Sequence, residues 1–166
     1  MSLLTTDGRS AVLVREADAE VVGAAPTVMR LYADASATGG ALSSQRVTLG
    51  TGANGASPHH HTGSAELFFI LDGSLQVLAS DHVTTAETGD FLVVPPLMPH
   101  AFGAAPGATA DLLIVLAPGV ERFEYFRLLD RVGKGQATQQ EVLDAQDRFD
   151  NHFLDSPVWR QARETA

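Results

Sequence analysis

Gly55-Ala56-Ser57-Pro58-His59-His60-His61-Thr62-Gly63-Ser64-Ala65-Glu66-Leu67-Phe68-Phe69-Ile70-Leu71-Asp72-Gly73 is the stretch on which the reading of this chain turns. On an extended segment side chains alternate between faces, so His59 and His61 point one way and His60 the other. After the Thr62-Gly63-Ser64 turn a strand begins in which Glu66, Phe68 and Ile70 share a face. Glu66, at its start, can return to the two imidazoles. Neutral imidazole nitrogen and ionised carboxylate oxygen suit iron, nickel, manganese, cobalt, copper or zinc, so ligand type does not select the metal. Such a half-open site leaves positions at which a substrate or dioxygen can bind.

A second stretch carries a further histidine. Gly89-Asp90-Phe91-Leu92-Val93-Val94-Pro95-Pro96-Leu97-Met98-Pro99-His100-Ala101-Phe102 reads as a short buried strand followed by a turn and His100. Around these stretches the first three quarters of the chain break into short apolar runs between Gly, Pro, Asn and Asp. The expected strands are Ala11–Val14, Thr27–Tyr32, Leu42–Leu49, Glu66–Leu71, Leu75–Leu78, Phe91–Val94, His100–Phe102 and Ala110–Leu116. Their spacing argues for an all-β sandwich or barrel and against βαβ units. Asp72-Gly73 supplies the positive φ angles of a tight hairpin, so a turn is expected there. Residues 51–58 and 103–107 read as loops.

Beyond Ala117-Pro118-Gly119 the period becomes helical, with Phe123, Phe126, Leu128, Leu129 and Val132 on one face of Glu121–Val132. Thr138 and Glu141 form a capping box for a second helix, with Val142, Leu143, Phe149 and Phe153 on its inner side. Asp155-Ser156-Pro157 opens a short last helix. The expected division is a β domain over residues 1–118 and a helical extension over 119–166, packed on the barrel or on a partner subunit.

Composition narrows the partners. The 166 residues hold 11 Lys and Arg against 20 Asp and Glu, a formal net charge of −9, which gives nucleic acid or an anionic membrane no electrostatic purchase. There are no cysteines, which excludes disulfides, thiolate ligands and cysteine nucleophiles. The opening residues Met1–Asp7 lack a basic start and an apolar run, and no apolar stretch approaches bilayer length. A soluble cytoplasmic protein is expected.

The two quoted stretches resemble the first and second motifs of the cupin superfamily, in one copy each, over about residues 40–117. The resemblance implies an all-β, cupin-type double-stranded β-helix (jelly-roll barrel) with a C-terminal helical tail. It also implies one divalent transition metal ion per chain held by His59, His61, Glu66 and His100. Leu97 stands where the family has a glycine, Ala104 where it often has asparagine, and Ala53 where a glycine precedes the histidines; none of these is a ligand position. Phe68, Ile70, Val77, Phe91, Val93, Leu97, Met98 and Phe102 are the expected wall of an apolar substrate pocket. Arg46 is the cation nearest the motifs.

Fold alone does not settle chemistry. The chain further resembles bacterial quercetin 2,3-dioxygenase-like monocupins in Ser44–Leu49 and in the strand Leu112–Leu116 that leads into an aromatic-rich helix. That resemblance implies dioxygenase action on a small aromatic or polyphenolic, flavonol-like substrate, with catalytic Glu66 taking the proton of the metal-bound hydroxyl. A metal-dependent isomerase or cyclase and a non-catalytic small-molecule-binding cupin are the alternatives. A homodimer is implied as well. His60, His82 and His152 read as non-ligands, and Trp159 as the anchor of the last helix.

Overall fold

A computed structural model describes residues 10–164; the expectation for Met1–Asp7 lies outside them. Among the described residues ten strands and four α-helices follow one another: β1 Glu20–Ala24, β2 Thr27–Ala33, β3 Ser43–Leu49, β4 Asn54–His60, β5 Ala65–Ala79, β6 His82–Glu87, β7 Phe91–Val94, β8 His100–Ala104, β9 Ala110–Ala117, α1 Phe123–Gly133, α2 Gln139–Asp144, α3 Gln146–Phe149, β10 His152–Phe153 and α4 Pro157–Glu164. All strand pairing is antiparallel. One layer runs β1-β2-β3-β9-β5-β7 and the other β10-β4-β8-β5-β6, with β5 belonging to both. The all-β jelly-roll expectation is met, with the helices at the C-terminal end.

β5 joins the layers because of Asp72-Gly73. The expected hairpin does not form there. Instead the register with β9 slips between Ile70 and Asp72, and the same strand continues from pairing with β7 and β9 to pairing with β6 and β8. Gly73 does take a positive φ of 80°, but as a bend within one strand, and a Cβ there would stand 2.1 Å from the Thr109 carbonyl oxygen. A positive φ at this point serves a bulge within a strand as well as a tight turn, so it does not by itself decide between them.

Alternation along the strands builds the core. Ala110, Leu112, Ile114 and Leu116 of β9 point inward and meet Val47, Leu49, Phe68, Ile70, Leu75, Val77 and Phe102. Burying side chains of this size contributes roughly 1.5–3 kcal/mol each. On β3 the same alternation turns Gln45 inward with Val47 and Leu49, while Arg46 faces out and pairs with Asp111.

Several expected boundaries differ. Residues 11–14 form no strand, and β1, β4 and β6 lie in segments not read as strands. β6 has a single buried residue, Ala86, so it carries no apolar signal, and β4 contains Gly55 and Pro58 yet pairs with β8 and β10. The expected second helix is two short ones, with Leu143 exposed and Phe153 in β10.

The helices close over the barrel. Tyr125, Phe126 and Leu128 of α1, with Val142 and Phe149, pack against Val22 and Leu31 of β1 and β2. Trp159 of α4 is buried against Leu78 and Ala101, and Arg163 donates to the carbonyls of Gly52 and Ala104 at 2.8 Å. The capping box at Thr138 and Glu141 is present, and Ser156 Oγ caps α4.

Asp34, at the end of β2, caps α1 by accepting from the backbone N–H groups of Arg122 and Phe123 at 2.6 and 3.2 Å. Burial, opposed by these donors and reinforced by Glu121 alongside, raises its carboxyl from 3.8 to about 6. In that window the folded chain holds a proton that the unfolded chain has released, so stability falls as pH rises through it. Asparagine keeps one of the two accepting oxygens and cannot titrate. Asp34→Asn is therefore expected to flatten this part of the stability profile in denaturant titrations between pH 3.8 and about 6; a slope equal to that of the wild type would contradict it.

Candidate metal centre

Three strands and one turn bring the ligand atoms together. His59 of β4 and His100 of β8 are direct cross-strand partners, so their rings share the interior face. Glu66 enters at the second residue of β5, and His61 lies just beyond the end of β4. All four are buried, and one ligand atom from each lies within 4.8 Å of the others. His60 is turned away and stacks on His152, while His82 is exposed beside Asp81.

Backbone carbonyls fix the imidazoles. Nδ1 of His59 lies 2.7 Å from the Ser57 oxygen, that of His61 2.6 Å from the Asp150 oxygen, and that of His100 2.9 Å from the Met98 oxygen. A carbonyl only accepts, so each Nδ1 carries the proton and donates it. That orients the ring with Nε2 toward the centre, the arrangement metal-ligating histidines use. The three Nε2 atoms stand 4.0, 3.1 and 2.5 Å from one oxygen, Oε2 of Glu66.

Electrostatics favour a cation in this cluster. Burial, with the neighbouring His100, holds His59 well below its ordinary value, so its imidazole is neutral. Burial alone would raise Glu66, but the His100 and His61 imidazoles set against it outweigh burial and keep the carboxyl well below its usual range. Nitrogen atoms facing an ionised oxygen at such distances need a positive charge between them. Three imidazole nitrogens and one carboxylate oxygen are a donor set that a divalent transition ion satisfies with coordination positions to spare. The residues therefore fit a metal ion, and they leave its identity open.

The tail reaches into the surroundings of the cluster. Asp150, just past α3, orients His61 through its carbonyl, and its carboxylate accepts from the Thr62 and Gly63 backbone at 2.8 and 3.0 Å. β10 pairs with His59 and His60 of β4.

His59 and Glu66 lie in the wall of a cavity of about 520 Å³ that opens between β1, β2 and α1. Met29, Val47, Phe102, Ile114, Tyr125 and Phe126 supply much of its apolar lining. Of the expected wall residues, Phe102 lines it. Phe68, Ile70 and Val77 are fully buried in the barrel core, and Met98 packs on that core. Phe91, Val93 and Leu97 are corrections: they are 61%, 49% and 64% exposed and face away from the cavity. The cause is parity. Glu66 pairs with Val94 and Phe68 with Leu92, so it is Leu92 and Val94 that share the inner face. Leu97 sits in the turn before β8 at a positive φ of 69°.

Three polar residues of the cavity were not foreseen: Gln45, Arg122 and Asn151. Strand alternation from Val47 and Leu49 could have found Gln45. Arg122 and Asn151 lie in irregular segments with no periodic signal. Arg46, the cation expected nearest the site, is on the outer surface with Asp111.

Residues 45–116 match the sequence profile of the cupin domain family. No protein of curated function matches the chain. Among solved structures it is similar to Streptomyces Pac13, a nucleoside dehydratase solved with uridine, at 13% identity, covering 68% of this chain and 86% of that one with a TM-score of 0.54. It is also similar to the polyketide cyclase RemF of Streptomyces resistomycificus, at 21% identity over 64% and 78% with a TM-score of 0.52. A third is Fe(II) HppE, at 20% identity over 64% and 60% with a TM-score of 0.54.

The four-residue cluster predicts a definite metal titration. Metal-stripped wild-type chain should take up one zinc ion in native mass spectrometry. His61→Ala and His100→Ala should each weaken binding by at least about 100-fold, beyond the loss that outer partners cause, while His60→Ala leaves it unchanged. Equal losses for His60→Ala and His100→Ala would place the ion elsewhere. Residues 45–116, from β3 to β9, thus match the cupin domain profile, and the chain shares its fold with these solved structures.

Proposed function

We propose that the chain is a metal-dependent enzyme acting on a small, largely apolar, ring-bearing molecule through an acidic hydroxyl or enol, with Glu66 as the proton acceptor. The observation that carries this reading is the position of His59 and Glu66 in the wall of a cavity of about 520 Å³, a size suited to a compact organic ligand. A divalent transition ion held by His59, His61, Glu66 and His100 would supply Lewis acidity toward a substrate oxygen.

The chain's own residues do the rest. Glu66 faces the cavity and is within reach of a hydroxyl bound beside the cluster. The imidazoles set against it make it a weak base at rest, so a proton moves onto it only as the substrate is acidified and the carboxylate loosens from His100. Met29, Val47, Phe102 and Ile114 exclude water and press on a planar ring.

Oxidative cleavage of a flavonol-like substrate and redox-neutral isomerisation or cyclisation both begin with this proton transfer. Pac13 and RemF carry redox-neutral names and share the fold alone, so oxygen demand decides the branch. Turnover of flavonols and polyketide phenols is to be followed in air and under argon, with oxygen uptake recorded. Glu66→Gln is expected to keep the circular dichroism of the wild type and to lower kcat by about 10²–10⁴-fold. Wild-type turnover in that variant would refute the proton-acceptor role. A ligand that binds the metal-loaded chain and is recovered unchanged would assign the chain to the non-catalytic class.

The implied homodimer has a surface that suits it. β7 pairs with β5 alone among the described residues, and Phe69, Phe91 and Val93 stand together on its outer side. We assign this edge to a second copy, which would cover both the apolar patch and the open strand. Sedimentation velocity should show a dimer for the wild type and a monomer for Phe91→Glu; a wild-type monomer would overturn the assignment.

A further inference from the structure

Arg122 sits between β9 and α1 and is 4% exposed, yet it is almost unpartnered. Nη2 donates to Oδ1 of Asn151 at 3.3 Å, and Nε and Nη1 meet no acceptor. Nε carries one N–H and Nη1 two, so most of the guanidinium's donors are unused. The rings of Tyr125 and Phe126 lie 5.0 and 5.3 Å from its central carbon and hold it by their faces. Because arginine only donates, Asn151 must turn its oxygen to it, and Nδ2 of Asn151 is then left free as well. Gln45, inward-facing on β3, has an unpartnered Oε1. All three residues line the same cavity as Glu66.

A buried unpaired charge is costly, and a chain that needed only to fill this space would do better with an apolar side chain. Glu66, Asp150 and Asp34 favour the charge of Arg122 through space, but none of them accepts a hydrogen bond from Nε or Nη1. A divalent ion in the cluster would add to the surplus of positive charge. What the cavity lacks is an anion with planar acceptor oxygens, the partner that a guanidinium fork matches best.

We infer that Arg122 and Asn151 anchor a carboxylate of the bound small molecule, with Gln45 Oε1 accepting from a hydroxyl or amide N–H of the same ligand. The substrate class is then an aromatic or alicyclic hydroxy acid that spans the cavity, its acid at Arg122 and its hydroxyl toward Glu66. The substrate assignment rests on the metal-enzyme reading; the anion site itself does not.

The test compares 2-naphthoate with 2-naphthamide, a pair of equal shape that differs in charge, by fluorescence titration of the full chain, both metal-stripped and zinc-loaded. Metal-stripped wild type is expected to prefer the acid by about 30-fold, the worth of charge-assisted hydrogen bonding. Arg122→Met and Arg122→Gln should bring the two affinities together, while Arg122→Lys keeps part of the difference. Arg122→Met should also hold or raise the Tm of the ligand-free chain. Equal affinities in the wild type, as water filling the site would give, overturn the inference. So does an acid preference that survives Arg122→Met, or one seen only with zinc, since the ion would then be the anchor. A drop in Tm with loss of both ligands would make Arg122 structural. Acid preference without zinc uptake leaves the anion site standing and defeats the metal reading; the reverse result does the opposite.

Discussion

Three hydrogen bonds from imidazole Nδ1 atoms to backbone carbonyls set the character of this molecule. They settle which nitrogen of His59, His61 and His100 is free, and they aim all three at one carboxylate oxygen. Two of the carbonyls, at Ser57 and Met98, lie two residues before the histidine they orient, so β4 and β8 carry their own alignment. The third belongs to Asp150, far along the chain, and makes the tail part of the centre. A carboxylate so surrounded stays ionised despite burial, and an ionised oxygen facing three imidazole nitrogens is a place for a cation.

The barrel exists to make these directions rigid. β5 runs through both layers, and its bend at Gly73 lets one strand carry Glu66 at one end while its other half pairs with the strand of His100. Cross-strand pairing of His59 with His100 fixes their separation more tightly than a loop could. The helices then add what the barrel lacks. α1 supplies the aromatic side of the cavity and, at its N-terminal edge, the buried cation, while Asp34 ties that edge back to β2.

Much of the centre was legible in the sequence because its rules are local. Alternation separates His60 from His59 and His61, and the same rule places Glu66 with Phe68 and Ile70, as the burial of all three shows. What failed depended on distant partners. At Asp72-Gly73 the chain states a positive φ but not whether the flanking segments fold back or run on. Phe91 and Val93 are as apolar as Leu92 and Val94, and only the register with β5 says which pair faces in. β4 reads as a loop because Gly55, Ser57 and Pro58 have little strand preference, and neighbouring strands impose the conformation. Arg122 shows nothing locally; it matters through burial and missing partners.

The proposed centre is one ion held by four residues from three strands and a turn. Anomalous diffraction at the absorption edge of a loaded metal, from crystals of the chain soaked in zinc or nickel, tests this directly. A single strong peak is expected at roughly 2.0–2.2 Å from Nε2 of His59, His61 and His100 and from a carboxylate oxygen of Glu66. A peak bonded to Nδ1 atoms, one at His60 and His152, or none in the barrel would contradict it.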